Sequence, residues 1–476
     1  MTAQVWELDA IGQADLVRRG DASALELVDA AIARIEALNP RLNCLATAMF
    51  EAARTTAAGK LPPGPLSGVP FLVKDLGQSC KGVRQTDGSR ALRDFVADHD
   101  SELVARLRRA GLVIVGRTTS PEFGNHSTTE PELFGPCHNP WDLTRTAGGS
   151  SGGSAAAVSA RLVPAASASD GAGSIRIPAS CCGLFGLKPT RGRISFAPDA
   201  GEALSGLAVE HAVTRTVRDS AALLDATSGA VPGDPYWPAP PDQPFLERSK
   251  VDPGPMRIAW SAKAPLGMSV HPDCVDAVQT TARQLESMGH HVVEDDPVYD
   301  EEVLVEPMLT VWSVGNAADA DGIESRIGRP PSVDELEITT WELVEHGRRV
   351  TAVELVQAVD LMHLASRAIA PFFERYDVWL TPTLAQPPLP LGLLNKSYGG
   401  AREWWRFDLS FNPWNAIANL TGNPAMSVPL ASDKGGLPIG LLFTGRYGDE
   451  AGLFQLAAQL ERAFSWADRN PAVTAL

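Results

Sequence analysis

Between residues 23 and 38, apolar side chains recur at Val28, Ala31, Ile32, Ile35 and Leu38, a spacing of three and four that lays one apolar stripe along a helix. Ser23 and Glu26 have the spacing of a capping box, which sets the start of that helix, and Asn39-Pro40 predicts its end. The stretch "SGVPFLVKDL" (67–76) has another pattern, a short continuous apolar run after Gly and Pro. It predicts a buried strand that ends on Lys74. "DSELVARLRRAG" (100–111) then reads as a helix and "LVIVGRTT" (112–119) as a strand, an alternation that implies βα units. The pattern breaks at 232–255, where eight prolines predict a long surface connection. Beyond it, "MRIAWSA" reads as a strand, 273–289 as a helix carrying Val275, Val278, Ala282 and Leu285, and "HHVVEDD" as the next strand. A second irregular stretch spans 385–401, followed by a strand at 439–446 and a closing helix at 450–464. No segment repeats. The chain therefore reads as one α/β unit over 1–476, a large mixed and mostly parallel central sheet covered by helices on both faces.

Composition narrows the class of function. Hydrophobic residues make up 44% and charged residues 21% of 476, a globular balance. Lys and Arg number 41 against 57 Asp and Glu, a formal net charge of −16, which argues against a nucleic-acid footprint. The six cysteines (Cys44, Cys80, Cys137, Cys181, Cys182 and Cys274) form no CxxC and are expected to be reduced, buried thiols. The opening "MTAQVWELDA" has neither a basic region nor an apolar core, and no apolar run nears the roughly 18 residues of a membrane span. A cytoplasmic protein without membrane contact is the expectation. The nine histidines show no metal-ligand spacing, and His290-His291 reads as a helix-to-strand turn, so neither a metal nor a cofactor is called for.

"RTAGGSSGGSAAAVSA" (145–160) looks at first like a flexible linker. Its flank, "AAAVSARLVPAASAS", is nearly uncharged and reads as buried, which places the glycines inside folded structure. A phosphate loop needs Gly-Lys-Ser/Thr, and no Lys follows. A dinucleotide fingerprint needs a preceding strand, which "NPWDLTRTA" does not supply. Gly148 to Gly152 does match the GxSxG of a nucleophile elbow, which would make Ser150 the nucleophile of a Ser-His-Asp α/β-hydrolase. However, the last histidine is His363, more than 100 residues from the end. The remaining option uses more of the chain. "DGAGSIRIPASCCGLFGLKPT" (170–190) puts Ser174 at the end of a loop of small residues, whose backbone N–H groups can point to one side as an oxyanion hole requires. Lys74 closes a buried strand, where burial penalises its charge and lets it act as a base. Two serines and a lysine suffice for nucleophilic catalysis without histidine.

Together "PFLVKD", "GGSSGGSAAAV", "SDGAGSIRIPASCCGLFGLKPT" and "NLTGNPAMSVPL" (419–430) resemble the amidase signature family in order and spacing. "TTSPEFGNHSTTEPE" (118–132), "NPWDLTRTAGGSSGG" and "GLKPTRGRIS" look most like its bacterial nylon-oligomer branch. The resemblance implies the amidase signature fold, with a catalytic core at about 65–230 and a variable pocket region at about 300–415. It implies a metal-independent hydrolase of linear or cyclic amides and anilides, with carbamates (a urethanase activity) and esters open to the same chemistry. In its terms Ser174 is the acyl-accepting nucleophile, Ser150 follows a cis peptide bond and bridges Ser174 to Lys74, and Lys74 is the base. The N–H groups of Gly171, Ala172, Gly173 and Ser174 hold the oxyanion. Here Ala172 stands where the family commonly has Gly; its methyl restricts the loop and leaves the N–H. An alternative within the same resemblance is the A-type subunit of a glutamine-dependent tRNA amidotransferase, which the acidic chain disfavours.

Other residues carry two readings each. Asp170 and Arg176 read as an ion pair that steadies the nucleophile loop, in preference to a direct catalytic role. Gly124 and Asn125 resemble substrate-lining positions, and Asn125 equally suits a satisfied loop asparagine. Trp404, Trp405, Phe407, Phe411 and Trp414 read either as core packing or as an apolar wall for the substrate, with Trp414 the candidate binding residue. The expected partner is a small-molecule amide or carbamate, and the expected state is a monomer or homodimer.

Overall fold

The computed structural model describes residues 2–474. In chain order its strands are β1 (Leu45–Ala48), β2 (Pro70–Lys74), β3 (Val113–Thr118), β4 (His138–Asn139), β5 (Asp142–Thr146), β6 (Ala165–Asp170), β7 (Phe185–Lys188), β8 (Val209–Thr214), β9 (Arg257–Trp260), β10 (His291–Glu294), β11 (Val378–Pro382), β12 (Ala425–Ser432) and β13 (Pro438–Gly445). Strands β4 and β5 form a small hairpin; the others build an eleven-stranded sheet in the order β1-β3-β2-β6-β8-β7-β12-β13-β11-β9-β10.

The sheet is mixed and helix-covered, as the sequence implies, but its parallel character is confined to two flanks. The pairs β2–β3, β2–β6, β9–β11 and β9–β10 are parallel. The six remaining pairs are antiparallel and include the whole centre of the sheet. An apolar run shows that a strand is covered on both faces, and helices cover both directions of strand equally well here. Direction is set by the connections, and the short turn at 433–437 makes β12 and β13 an antiparallel hairpin.

Strand alternation feeds two cores. Phe71 and Val73 of β2 enter the core packed by the helices Glu102–Arg109, Val217–Thr227, Pro272–Ser287 and Glu450–Phe464. Leu72 enters the opposite core, with the helices Ala24–Leu42 and Gly152–Ser159. The first of these has the expected capping box but does not stop at Asn39-Pro40. Pro40 lies inside its last turn, and the helix ends at Asn43 in the left-handed conformation (φ 51°). The proline-rich 232–255 connection holds only the short helix Phe245–Arg248, and 385–400 holds no helix or strand.

Candidate active site

Lys74 is the last residue of β2 and is fully buried. Its Nζ donates to Ser150 Oγ at 2.7 Å and to Ser169 Oγ at 2.9 Å. Ser169 comes from "AASASD" of β6, where Ala166 and Ala168 enter the core and Ser167 and Ser169 meet the end of β2. Burial lowers the amine from its ordinary value to about 7, against the opposing pull of Asp170 and Glu210. Asp75 turns elsewhere, to Arg117 Nε at 2.8 Å and to the Thr86 hydroxyl at 2.5 Å.

Ser150 follows a cis peptide bond from Gly149. A Cβ on Gly149 would lie 2.4 Å from the Thr128 carbonyl oxygen and 2.5 Å from that of His126, so two stretches of backbone pass too close for a side chain. The glycine-serine run is thus a crossing point of buried chains. The residues after Ser151 form the wholly buried helix Gly152–Ser159.

The second serine sits in the loop between β6 and the helix Arg176–Cys182. Asp170 organises this loop. Its carboxylate accepts from Gly173 N at 2.7 Å, Ile175 N at 3.0 Å, and Arg176 Nε and Nη2 at 3.0 and 2.8 Å. Burial works against its charge, yet Arg176 and Asn419 hold the carboxyl well below the usual range. Asn419 closes the network, accepting from Arg176 Nη2 at 2.6 Å and donating to the Asp170 carboxylate at 2.9 Å.

This changes the expected oxyanion set. The Gly173 N–H is committed to Asp170, because the buried carboxylate needs donors on its loop side as well as the arginine. The N–H groups of Gly171, Ala172 and Ser174 have no intramolecular acceptor among the described residues.

Ser174 opens onto a narrow cleft at the surface of the molecule. Gly124, Asn125 and Ala172 line one part of it; Trp312, Trp405 and Asp408 line another. Ser150 lies behind Gly124, where a Cβ would come 3.2 Å from its hydroxyl. His126 is also on the wall. Burial lowers it to about 4, and its Nε2 meets the Thr339 hydroxyl at 2.9 Å. Ser150 is bonded to a lysine and His126 to a threonine, an arrangement unlike a Ser-His elbow. Among the described residues no group of three or more His, Cys, Asp or Glu is placed to hold a metal ion.

The family model for Amidase matches residues 26–454. The chain is 38% identical to the 6-aminohexanoate-cyclic-dimer hydrolase of Paenarthrobacter ureafaciens, over 98% of this chain and 97% of that protein. The chain belongs to the amidase family. It is a hydrolase acting on amide C–N bonds. Among solved structures, a 6-aminohexanoate cyclic dimer hydrolase complexed with substrate superposes with a TM-score of 0.94 at 37% identity, covering 98% of this chain and 99% of that one. A bacterial aryl acylamidase of the amidase signature family superposes with a TM-score of 0.88 at 27% identity, covering 98% and 99%.

The amidase fold brings Lys74, Ser150 and the loop 171–174 to one end of the parallel flank. Gly124 and Asn125 both line the cleft, but the Asn125 amide is already occupied. It donates to Asn316 Oδ1 at 2.7 Å and Thr340 Oγ1 at 3.2 Å, and accepts from Trp312 Nε1 at 2.9 Å. The three late tryptophans all join one buried core cluster, and Trp405 is in addition a cleft-lining residue. Trp404 packs edge-on against His126, and Trp414 is buried and is not among the residues lining the cleft, its Nε1 donating to the Lys263 carbonyl. Ser169, Asn419, Trp312 and Asp408 are site residues that the sequence does not single out. Only Ser169 carried a local signal, the two-residue alternation of "SASD".

Proposed function

We propose that this amidase hydrolyses small linear or cyclic amides and anilides through an acyl-enzyme on Ser174, with Ser150 and Lys74 as its proton relay. The 2.7 Å bond from Lys74 Nζ to Ser150 Oγ, beside the cleft that receives Ser174, carries this reading. Neutral Lys74 takes the Ser150 proton as Ser150 takes that of Ser174, and Ser174 Oγ adds to the amide carbonyl carbon. The N–H groups of Gly171, Ala172 and Ser174 receive the oxyanion, aimed by the Asp170–Arg176–Asn419 network. The relay returns a proton to the leaving nitrogen as the C–N bond breaks. A water molecule, activated by the same relay, then cleaves the acyl ester. The likeness to a hydrolase named for a cyclic dimer supports cyclic amides, and the likeness to an aryl acylamidase supports anilides. Carbamates and esters pass through the same tetrahedral chemistry.

The test uses the purified single chain, an anilide and a sulfonyl fluoride, without partner protein or ATP. Turnover of the anilide, covalent label on Ser174 by peptide mapping, and loss of turnover in Ser174→Ala at unchanged Tm are expected. Label on Ser150 would overturn the assignment.

A further inference from the structure

The cleft contains one carboxylate that the proposed chemistry does not use. Asp408 lies on the helix Ala401–Phe411, and among the described residues lining the cleft it is the only Asp or Glu. Ser127 donates to both of its oxygens, from the backbone N at 3.2 Å and from Oγ at 2.8 Å. A carboxylate has about four acceptor sites, so roughly half of its capacity is left. Residue 408 is half-buried, and no basic group forms an ion pair with it among the described residues. Burial raises its carboxyl to about 6, against the two Ser127 bonds.

The amides of the two neighbouring asparagines are occupied. Asn125 is bonded to Asn316, Thr340 and Trp312. Asn412 donates to the Ala172 carbonyl at 2.8 Å and accepts from Asn415 at 2.6 Å. The indoles of Trp312 and Trp405, with ring centroids 5.5 Å apart, line the same space. A carboxylate with free acceptor sites beside indole rings suits a small organic cation, which a carboxylate pairs and an indole attracts. Asp408 stands four residues before Asn412, about 6 Å along the helix axis. Because Asn412 touches the nucleophile loop, Asp408 is within reach of a substrate bound at Ser174.

We infer that Asp408 is a specificity-determining residue that receives the primary ammonium group of an amide substrate carrying a free amine away from its scissile bond. The inference rests on Ser174 being the nucleophile, and its test separates the two. The kcat/KM values of ω-aminoacyl p-nitroanilides are compared with those of plain acyl p-nitroanilides of matched length, in wild type and in Asp408→Asn, which can still accept from Ser127. The wild type should favour the amine-bearing series at its best length by about tenfold to a hundredfold, the size of one hydrogen bond to a charged group. Asp408→Asn should bring that ratio close to one. A residue that only held the Ser127 loop would lower both substrates together and leave the ratio unchanged, which would overturn the inference, as would a wild-type ratio near one at every length. Calorimetry with hexylamine and hexan-1-ol reads the same subsite without turnover. Hexylamine should bind at least tenfold tighter to wild type than to Asp408→Asn, and hexan-1-ol equally to both. If hexylamine shows this dependence while no anilide is cleaved, the subsite stands and the hydrolytic reading falls. If the anilides are cleaved and hexylamine binds both proteins alike, the reverse holds.

Discussion

Replacing Lys74 with methionine removes a titratable group from a fully buried position, and the effect on stability depends on pH. In the folded protein the amine sits at about 7; in the unfolded chain it returns to ~10.4. Because the folded value is the lower one, the unfolded chain binds the extra proton across the window between them. Stability is therefore complete above the unfolded value and is lost as pH falls toward the folded one. Linkage with these two values gives a deficit of ~4 kcal/mol at pH 7 and ~2 kcal/mol at pH 9. Lys74→Met has no such deficit, so its stability relative to wild type should drop by ~2 kcal/mol between pH 7 and pH 9. The lost bonds to Ser150 and Ser169 subtract an amount that does not vary with pH, which makes the difference between the two pH values the clean readout. Glu210, raised by burial to about 8, titrates in the same window and feels Lys74, so both proteins should carry Glu210→Gln. The assay is urea denaturation at pH 7, 8 and 9. The same amine should also set the acid limb of kcat/KM, with unit slope and a midpoint near 7, so that activity falls about tenfold per pH unit below it. A stability difference that does not change with pH, or an acid limb abolished by His126→Gln, would refute the reasoning.

Asp170→Asn leaves Arg176, which is fully buried, without a countercharge. It should cost ~3–5 kcal/mol by chemical denaturation, with a fall in kcat as the Gly173 bond weakens; a loss under ~1 kcal/mol would show that the loop does not depend on the pair. Gly124→Ala puts a methyl group 2.7 Å from Leu76 Cδ2 and 3.2 Å from Ser150 Oγ, at a φ of +71°. It should destabilise by ~1–2 kcal/mol from the left-handed backbone alone and lower kcat/KM by roughly tenfold or more through displacement of Ser150, both read on the same preparation by Tm and anilide turnover.

Local chemistry is legible wherever one short segment carries its own reason. The apolar run of β2 implies a strand buried on both faces, and a lysine at its end implies a neutral amine, because desolvation needs only the immediate surroundings. The uncharged flank of "GGSSGGSAAAV" identifies the glycines as part of folded structure for the same reason. The Asp170–Arg176 pair was readable from its close spacing around the loop, and the structure places the two side chains in contact. Other features depended on segments far apart in the chain. The directions of the central strands follow from connections that hydrophobic pattern does not encode, so the pattern alone overstates parallel pairing. Asn419 joins Asp170 from 249 positions away, and nothing in "NLTGNP" marks it as a partner. The Gly173 N–H reads as an oxyanion donor in sequence, until the fold turns a carboxylate onto it. Trp405 and Trp414 both join one buried core cluster, and only tertiary packing gives the first a face on the cleft. Asp408 looks like any acid on an amphipathic helix. It becomes a cleft residue because Ser127, 281 positions earlier, folds against it and fills half of its hydrogen-bonding capacity.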